Sequence, residues 1–464
     1  MFVGRENELN SLNKNYKKDF FQFCVIYGRR RVGKTTLIKE FCKDKKNIFF
    51  VAAQTTIKEN TEVLSAQILS TLAPDAPKNP FSSFRSAVEY VFETAKNERT
   101  VFVIDEFPYL ANNYPAASSI LQAIIDFYQA ESKLFLILCG SSMSFMEEQV
   151  LGQKSPLYGR RTAQYKLLPF DYRNSGKMLP GFSNIEKIII YSVTGGIPEY
   201  LSRIDNGISL QDNIHDLFFD TSGRLFEEPS NLLKQELKIP ETYNAIITAI
   251  ADGNSKLNEI SVNVDIETSQ CSKMLSTLIN LGIVRKEYPV TDVKSKKSIY
   301  LLNDWMFVFW YRFVRPELSR ISAGFGKTVC DGVFYSQLNS HTGKTFEECA
   351  IQYLWSLQKN DVSPVAFKKA GRWWGNNPKE RREEEIDVMA YTDDKAIFCE
   401  CKWKNTQIGV DIYEELKRKT ELFRIFNDVY YMLFSKSGFT EALRKKAAEH
   451  GKIFLVDVDD MFRF

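Results

Sequence analysis

Two groups of residues in this chain have the types and spacing to act on phosphate. The first is the run Gly28-Arg29-Arg30-Arg31-Val32-Gly33-Lys34-Thr35, followed by Thr36 and preceded by an apolar stretch at residues 23–27. It fits the pattern G-x-x-x-x-G-K-[ST] in the setting that gives the pattern meaning, between a buried strand and an amphipathic helix. The glycines let the backbone curl so that successive N–H groups point at phosphate oxygens, and the following helix adds its positive end. Lys34 is expected to reach the β- and γ-phosphates, and the Thr35 hydroxyl to bind Mg2+. The run from Gly28 to Thr36, with Arg29, Arg31, Val32 and Gly33 inside it, is thus expected to cradle a nucleoside triphosphate.

The elements around this loop supply the remaining chemistry. An apolar strand at 101–104 ends in Asp105-Glu106, seventy residues beyond Thr35. Such a strand suits the centre of a parallel sheet whose carboxyl end opens on the nucleotide, with Asp105 holding the magnesium shell and Glu106 polarising the attacking water. Another strand, 134–139, ends at Gly140-Ser141-Ser142. Ser141 either senses the γ-phosphate or closes an ordinary turn. Arg160 and Arg161, in the loop 155–162, either neutralise charge on the transferred phosphoryl group, in this subunit or a neighbour, or belong to a solvated turn.

The second group lies near the carboxyl end, where two strand-like runs, 385–391 and 396–403, enclose Thr392-Asp393-Asp394-Lys395. They read as a hairpin. If Asp393-Asp394 is the tip, Tyr391 pairs with Ala396, and counting outward sets Asp387 opposite Glu400, with β-carbons about 5 Å apart. Lys402, two residues on, projects to the same face. Two carboxylates that close repel unless a cation lies between them. A divalent metal with oxygen ligands answers this, with Lys402 stabilising an attacking hydroxide or the charge at phosphorus. The competing reading of an E-x-K hairpin is a surface salt bridge.

A chain of 464 residues exceeds one core, and roughly three domains are expected. From residue 241 the pattern is three helices (243–251, 257–262, 268–281) and a hairpin (283–288, 298–302), which reads as a winged helix-turn-helix. Ser269, Gln270, Ser272, Lys273 and Thr277 are placed to face a groove. Lys294, Lys296 and Lys297 at the wing, with Arg285 and Lys286 at its base, form a cluster suited to phosphate contacts. A protein-docking surface is the alternative. The aromatic stretch 304–316 reads as a buried helix capped by Asp304 and stopped near Pro316. The net charge of +3 and 44% hydrophobic content describe an ordinary globular protein. No secretory signal or membrane-spanning run is visible, and eight scattered cysteines without a C-x-x-C pair suit the reducing cytoplasm.

Taken together, the phosphate loop, Asp105-Glu106, Ser141 and the loop 155–162 resemble the AAA+-related ATPases, and more narrowly the archaeal-type ATPase family. The opening Phe2-Val3-Gly4-Arg5-Glu6-Asn7-Glu8-Leu9 looks like that group's box before the phosphate loop, and Gly195-Gly196-Ile197-Pro198 is similar to its lid signature. The resemblance implies ATP as the nucleotide, with Arg5 and Pro198 near the base. The D-(x)n-E-x-K pattern is similar to restriction-endonuclease-like (PD-(D/E)XK) nucleases. Gly343-Lys344-Thr345-Phe346-Glu347 looks like their additional acidic position, which implies Glu347, beside Asp387 and Glu400, as a metal ligand or orienter. Gly371-Arg372-Trp373-Trp374 also resembles the carboxyl-terminal domain fused to these ATPases.

The expected fold is therefore a multidomain α/β chain. It comprises a P-loop NTPase (AAA+-like) core at 1–170, a helical lid at 171–240, a winged helix at 241–316 and a nuclease-like α/β domain at 317–464. The expected activity is ATP hydrolysis coupled to DNA-directed cleavage, the alternative being an ATP-gated regulator whose terminal domain is not catalytic. DNA is the expected partner, with a homo-oligomer or protein partner left open and no membrane.

Overall fold

The computed structural model describes residues 2–463 apart from Ala76, Lys78, 293–297 and Lys379. The chain divides into two compact units, Met1–Pro169 and Phe170–Phe464.

In the first unit, strands β1 (Gln22–Tyr27), β2 (Asn47–Val51), β3 (Val101–Asp105), β4 (Phe135–Gly140) and β5 (Ala163–Lys166) form one parallel sheet. The spatial order is β2-β3-β4-β1-β5. Every residue of β1, β3 and β4 is buried, which is why these strands read as unbroken apolar runs rather than alternating ones. Because β1 and β3 both flank β4, the segments leaving these three strands emerge side by side, at the roughly 4.8 Å spacing of neighbouring strands. Those segments are the glycine-rich loop, Asp105-Glu106 and Ser141. Ligands of open α/β sheets bind at such a place.

In the second unit, residues 171–240 are helical and share a core with the carboxyl-terminal sheet. Tyr172, Ile188 and Tyr191 cluster with Phe346, Val388 and Phe434. The Tyr172 hydroxyl donates to the Met461 carbonyl at 2.8 Å, and His341 Nε2 lies 2.8 Å from the Ser192 carbonyl. Burial pulls the His341 imidazole down to about 4, so the ring is neutral, and the carbonyl acceptor requires the hydrogen on Nε2.

Helices Pro240–Ala251, Leu257–Val264 and Thr268–Asn280 come next. They lead into an antiparallel hairpin of β6 (Val284–Glu287) and β7 (Ile299–Leu302). The third helix buries Cys271, Met274, Leu275 and Leu278, while Ser269, Gln270 and Lys273 are exposed and Ser272 and Thr277 half-buried. Asp304 caps the aromatic segment, accepting the N–H groups of Met306 at 2.8 Å and Phe307 at 3.2 Å. That segment is not one regular helix: it loosens to a π-turn over Trp310–Val314 and tightens to a 3-10 turn at Arg315–Glu317, around Pro316.

The long helix Leu338–Lys359 precedes a mixed sheet. Its strands are β8 (Lys369–Asn377), β9 (Arg382–Tyr391), β10 (Lys395–Lys402), β11 (Asp428–Ser435) and β12 (Ile453–Asp457), in the order β12-β11-β10-β9-β8. The β8–β9 and β9–β10 pairs are antiparallel, and β10–β11 and β11–β12 parallel. Helix Val410–Thr420 makes the crossover from β10 to β11 that a parallel pair requires. All eight cysteines are buried free thiols. Among the described residues, no helix is long and apolar enough to cross a membrane.

Candidate functional site

The glycine-rich loop is built on two close approaches of backbone. A β-carbon on Gly28 would lie 2.4 Å from the Leu167 carbonyl oxygen, and Gly33 has φ +89°, where side chains are strained. Gly33 stands directly before helix Lys34–Cys42. The buried Lys34 ammonium folds back over the loop, donating to the Gly28 carbonyl at 2.9 Å and the Arg29 carbonyl at 3.0 Å. Thr35 Oγ1 donates to Asp105 Oδ2 at 2.8 Å, which brings the loop hydroxyl and the strand-end carboxylate to one point. Val32 is buried, Arg31 takes a left-handed conformation at φ +71°, and Thr36 is exposed on the helix.

Glu106 occupies φ +52°, a costly backbone state for a residue with a side chain. Its Oε2 accepts both the Ser141 hydroxyl at 2.9 Å and the Ser141 N–H at 3.2 Å. Its own N–H donates to Asp105 Oδ1 at 3.0 Å. Ser141 is therefore the residue that orients Glu106. Arg5 is buried and donates to the Val32 carbonyl at 3.0 Å and the Leu168 carbonyl at 2.5 Å, bracing the loop from behind.

The two arginines of the loop 155–162 part company. Arg160 is held bidentate by Asp126, with both bonds 2.7 Å, and gives its remaining donors to the Pro156 and Tyr158 carbonyls. That fork–fork pairing directs the guanidinium at its own unit, so the expectation of Arg160 as a charge-neutralising finger is corrected. Arg161 lies over the Tyr158 ring, 6.0 Å from its centre. Pro198 opens the short helix Pro198–Leu201 of the second unit, just after Gly195-Gly196.

In the carboxyl-terminal sheet the hairpin register is the one counted from the turn: Tyr391 pairs with Ala396, and the ladder runs to Val388 with Cys399. At the next step Asp387 Oδ2 accepts the Cys401 N–H at 2.8 Å. Lys402 Nζ donates to Glu400 Oε1, and Lys419, on helix Val410–Thr420, lies 3.6 Å from Glu400 Oε2. Glu400 is buried, and its Oε2 has no hydrogen-bond partner. Burial, and then the charge of Glu400, push the Asp387 carboxyl up to about 6. Burial and the charge of Asp387 push Glu347 up to about 8, against the pull of Arg372. Burial disfavours the Lys402 ammonium, but Glu400 and Asp387 outweigh it and hold that group above its ordinary range.

The expected metal trio is nonetheless not assembled. Among the described residues, no group of three or more His, Cys, Asp and Glu side chains is gathered to hold a metal ion. Glu347 is turned to Arg372 at 3.6 Å, which draws it into an ion pair rather than to Asp387 and Glu400. Sequence reading missed Lys419 and Arg372 in these roles. Lys419 belongs to a basic last helical turn, Lys417-Arg418-Lys419, the one signal that pointed toward it.

The proposed phosphate-contacting cluster at the hairpin is also altered. Lys294, Lys296 and Lys297 lie outside the described residues. Arg285 turns inward, 3.4 Å from Glu348 on the long helix. Lys286 lies over the Tyr288 and Tyr300 rings. The Val290 N–H donates to the Arg372 carbonyl at 2.9 Å, and its carbonyl accepts the Tyr391 hydroxyl at 3.0 Å, so one side of the hairpin is clamped to the sheet.

A parallel sheet carrying a lysine-bearing phosphate loop, a strand-end aspartate and an oriented glutamate defines the first unit as a P-loop ATPase. Residues 2–204 match the family described as an ATPase domain predominantly from Archaea, and residues 310–418 match one described as archaeal and bacterial proteins of unknown function. An uncharacterized protein of Methanocaldococcus jannaschii is 32% identical over 471 residues, covering 99% of this chain and 100% of the relative. An uncharacterized ATP-binding protein of the same organism is 48% identical over 46 residues, 10% of this chain and 78% of that one. The Walker-type ATPase of Pyrococcus abyssi shares the fold with a TM-score of 0.50 at 18% identity, over 67% of this chain and 96% of that structure. The protein belongs to the archaeal-type ATPase family, and it is an ATPase.

Proposed function

We propose that ATP hydrolysis in the first unit controls a nuclease-like site in the second, directed at DNA. The observation that carries this reading is the group Asp387, Glu400 and Lys402 at the point where the β9–β10 ladder ends. Mg2+ fits the first unit, because Thr35 and Asp105 already meet through an oxygen–oxygen contact of 2.8 Å. Lys34 then binds the β- and γ-phosphates, and Glu106, fixed by Ser141, takes the proton of the attacking water. Arg161 is the arginine proposed to act on the phosphoryl group, in this copy or a neighbour.

In the second unit the buried Oε2 of Glu400, which accepts no hydrogen bond and has only the Lys419 ammonium at 3.6 Å, and the raised carboxyl of Asp387 fit a divalent ion held by these two residues. Such an ion supplies a nucleophile from bound water and offsets charge at phosphorus. Lys402 orients Glu400 and offers its ammonium to the phosphate, and Glu347 stands behind as a second acid.

Incubation of single- and double-stranded DNA with Mg2+ or Mn2+, with and without ATP, tests this reading by the size of the products. Cleavage lost in Asp387→Asn and Lys402→Ala supports it. A second unit that is regulatory rather than catalytic is favoured by the absence of a three-ligand metal group among the described residues. No cleavage with any divalent ion decides for that reading. DNA binding falling steeply with salt separates phosphate contact from protein docking.

A further inference from the structure

Beside the carboxylate group, a cavity of about 520 Å³ opens between the three-helix segment with its hairpin and the long helix Leu338–Lys359. Glu347 forms part of its wall, and the charge of Asp387 acts on that carboxyl, so the cavity lies beside the carboxylates of the sheet. Four cations line it: Arg285, Arg312, Lys344 and Arg372. Two of them are matched within the cavity, Arg285 by Glu348 at 3.4 Å and Arg372 by Glu347 at 3.6 Å. Arg312 and Lys344 are exposed at its rim, and their charge is available to an anion. Trp305 and Leu301 contribute apolar surface to the same cavity. An aromatic side chain beside cations suits a base and its phosphate, since every base has a π-face.

Volume and walls restrict what enters. Cavities of roughly 300–1,000 Å³ hold small molecules, not a stretch of duplex. The hairpin wall is held to the sheet through both backbone groups of Val290 and to the long helix through Arg285. We propose, building on the nuclease-like reading of the neighbouring carboxylates, that this cavity takes one unstacked nucleotide of a single strand, its phosphate at Arg312 and Lys344 and its base at Trp305. The substrate class is then a single-stranded end or gap rather than an intact duplex.

The test is equilibrium binding of a fluorescent, 5′-phosphorylated four-nucleotide thymidine strand to the full chain. EDTA is present so that no cleavage occurs and magnesium-dependent triphosphate binding is suppressed. The strand is expected to bind at least about ten-fold more tightly than a closed hairpin duplex, and thymidine 5′-monophosphate to compete with it. Arg312→Glu and Lys344→Glu are each expected to weaken the strand about ten-fold while ATP hydrolysis, assayed with magnesium, is unchanged and reports an intact fold. Equal affinity for the closed duplex, or unchanged strand affinity in both variants, overturns the proposal. Strand binding without cleavage in any metal refutes the nuclease reading alone. Direct calorimetric binding of thymidine 5′-monophosphate with no binding of the strand assigns the cavity to a free nucleotide and overturns the strand assignment.

Discussion

The phosphate loop and the β9–β10 cluster are both assembled at strand ends, but with opposite electrical logic. In the first unit, backbone amides, a helix start and the Lys34 ammonium converge, and the ammonium rests on carbonyls of its own loop. Donors gathered in this way select an anion. In the second unit, carboxyl groups converge instead. Asp387 is raised by Glu400, and Glu347 by Asp387, after the larger effect of burial. Like charges held together in a buried place are costly, and they mark a place where a cation or a proton is required. The contrast separates a site organised before its ligand arrives from one that its ligand must relieve.

The comparison breaks first at Lys34. Lys34→Ala is expected to abolish triphosphate binding and lower ATP hydrolysis by at least about 10²-fold, measured by calorimetry and phosphate release. Full hydrolysis in this variant refutes the assignment of the loop. Next, Glu106→Gln is expected to keep ATP binding and lose about 10²–10⁴-fold in turnover, as for loss of a general base.

The second site is probed through pH. An acid whose folded pKa lies above its unfolded value stabilises the native state less as pH rises, because the unfolded chain releases its proton first. For Asp387 that loss runs from about 4 to about 6, and for Glu347 from about 4.5 to about 8. In EDTA, the thermal midpoint of the second unit is therefore expected to fall between pH 5 and 8, and to fall less in Glu347→Gln. A midpoint rising equally in parent and variant contradicts the electrostatic picture. The smallest effect belongs to Arg160→Ala, expected to cost about 0.5–1 kcal/mol in denaturant unfolding and to leave ATP turnover within about two-fold. A large loss of turnover would restore Arg160 to the phosphoryl site.

The residues that could be read beforehand are those whose partners are close in sequence or fixed by a period. The phosphate loop is contiguous, and the strand after it had to be parallel and buried. The Tyr391–Ala396 register followed from counting outward from Asp393-Asp394, because side chains alternate with a period of two. What escaped depends on distant partners. Arg160 meets Asp126 from an earlier helix, Arg285 meets Glu348 across 63 residues, and Arg372 draws Glu347 away from Asp387. Each is a basic residue whose surface or catalytic appearance was decided by a carboxylate that no local pattern names. The lid expected at 171–240 likewise shares its core with the distant carboxyl-terminal sheet, through Tyr172 and Tyr191.

Eight sulfhydryls distributed over both units, every one shielded from solvent, give the molecule a built-in reporter. Maleimide dyes and mild oxidants find no target on the native surface, so labelling counts only molecules that have opened. Three cysteines, Cys24, Cys42 and Cys139, fall in the first unit and the remaining five in the second. Peptide mapping of the labelled thiols would therefore tell which of the two bodies yields first.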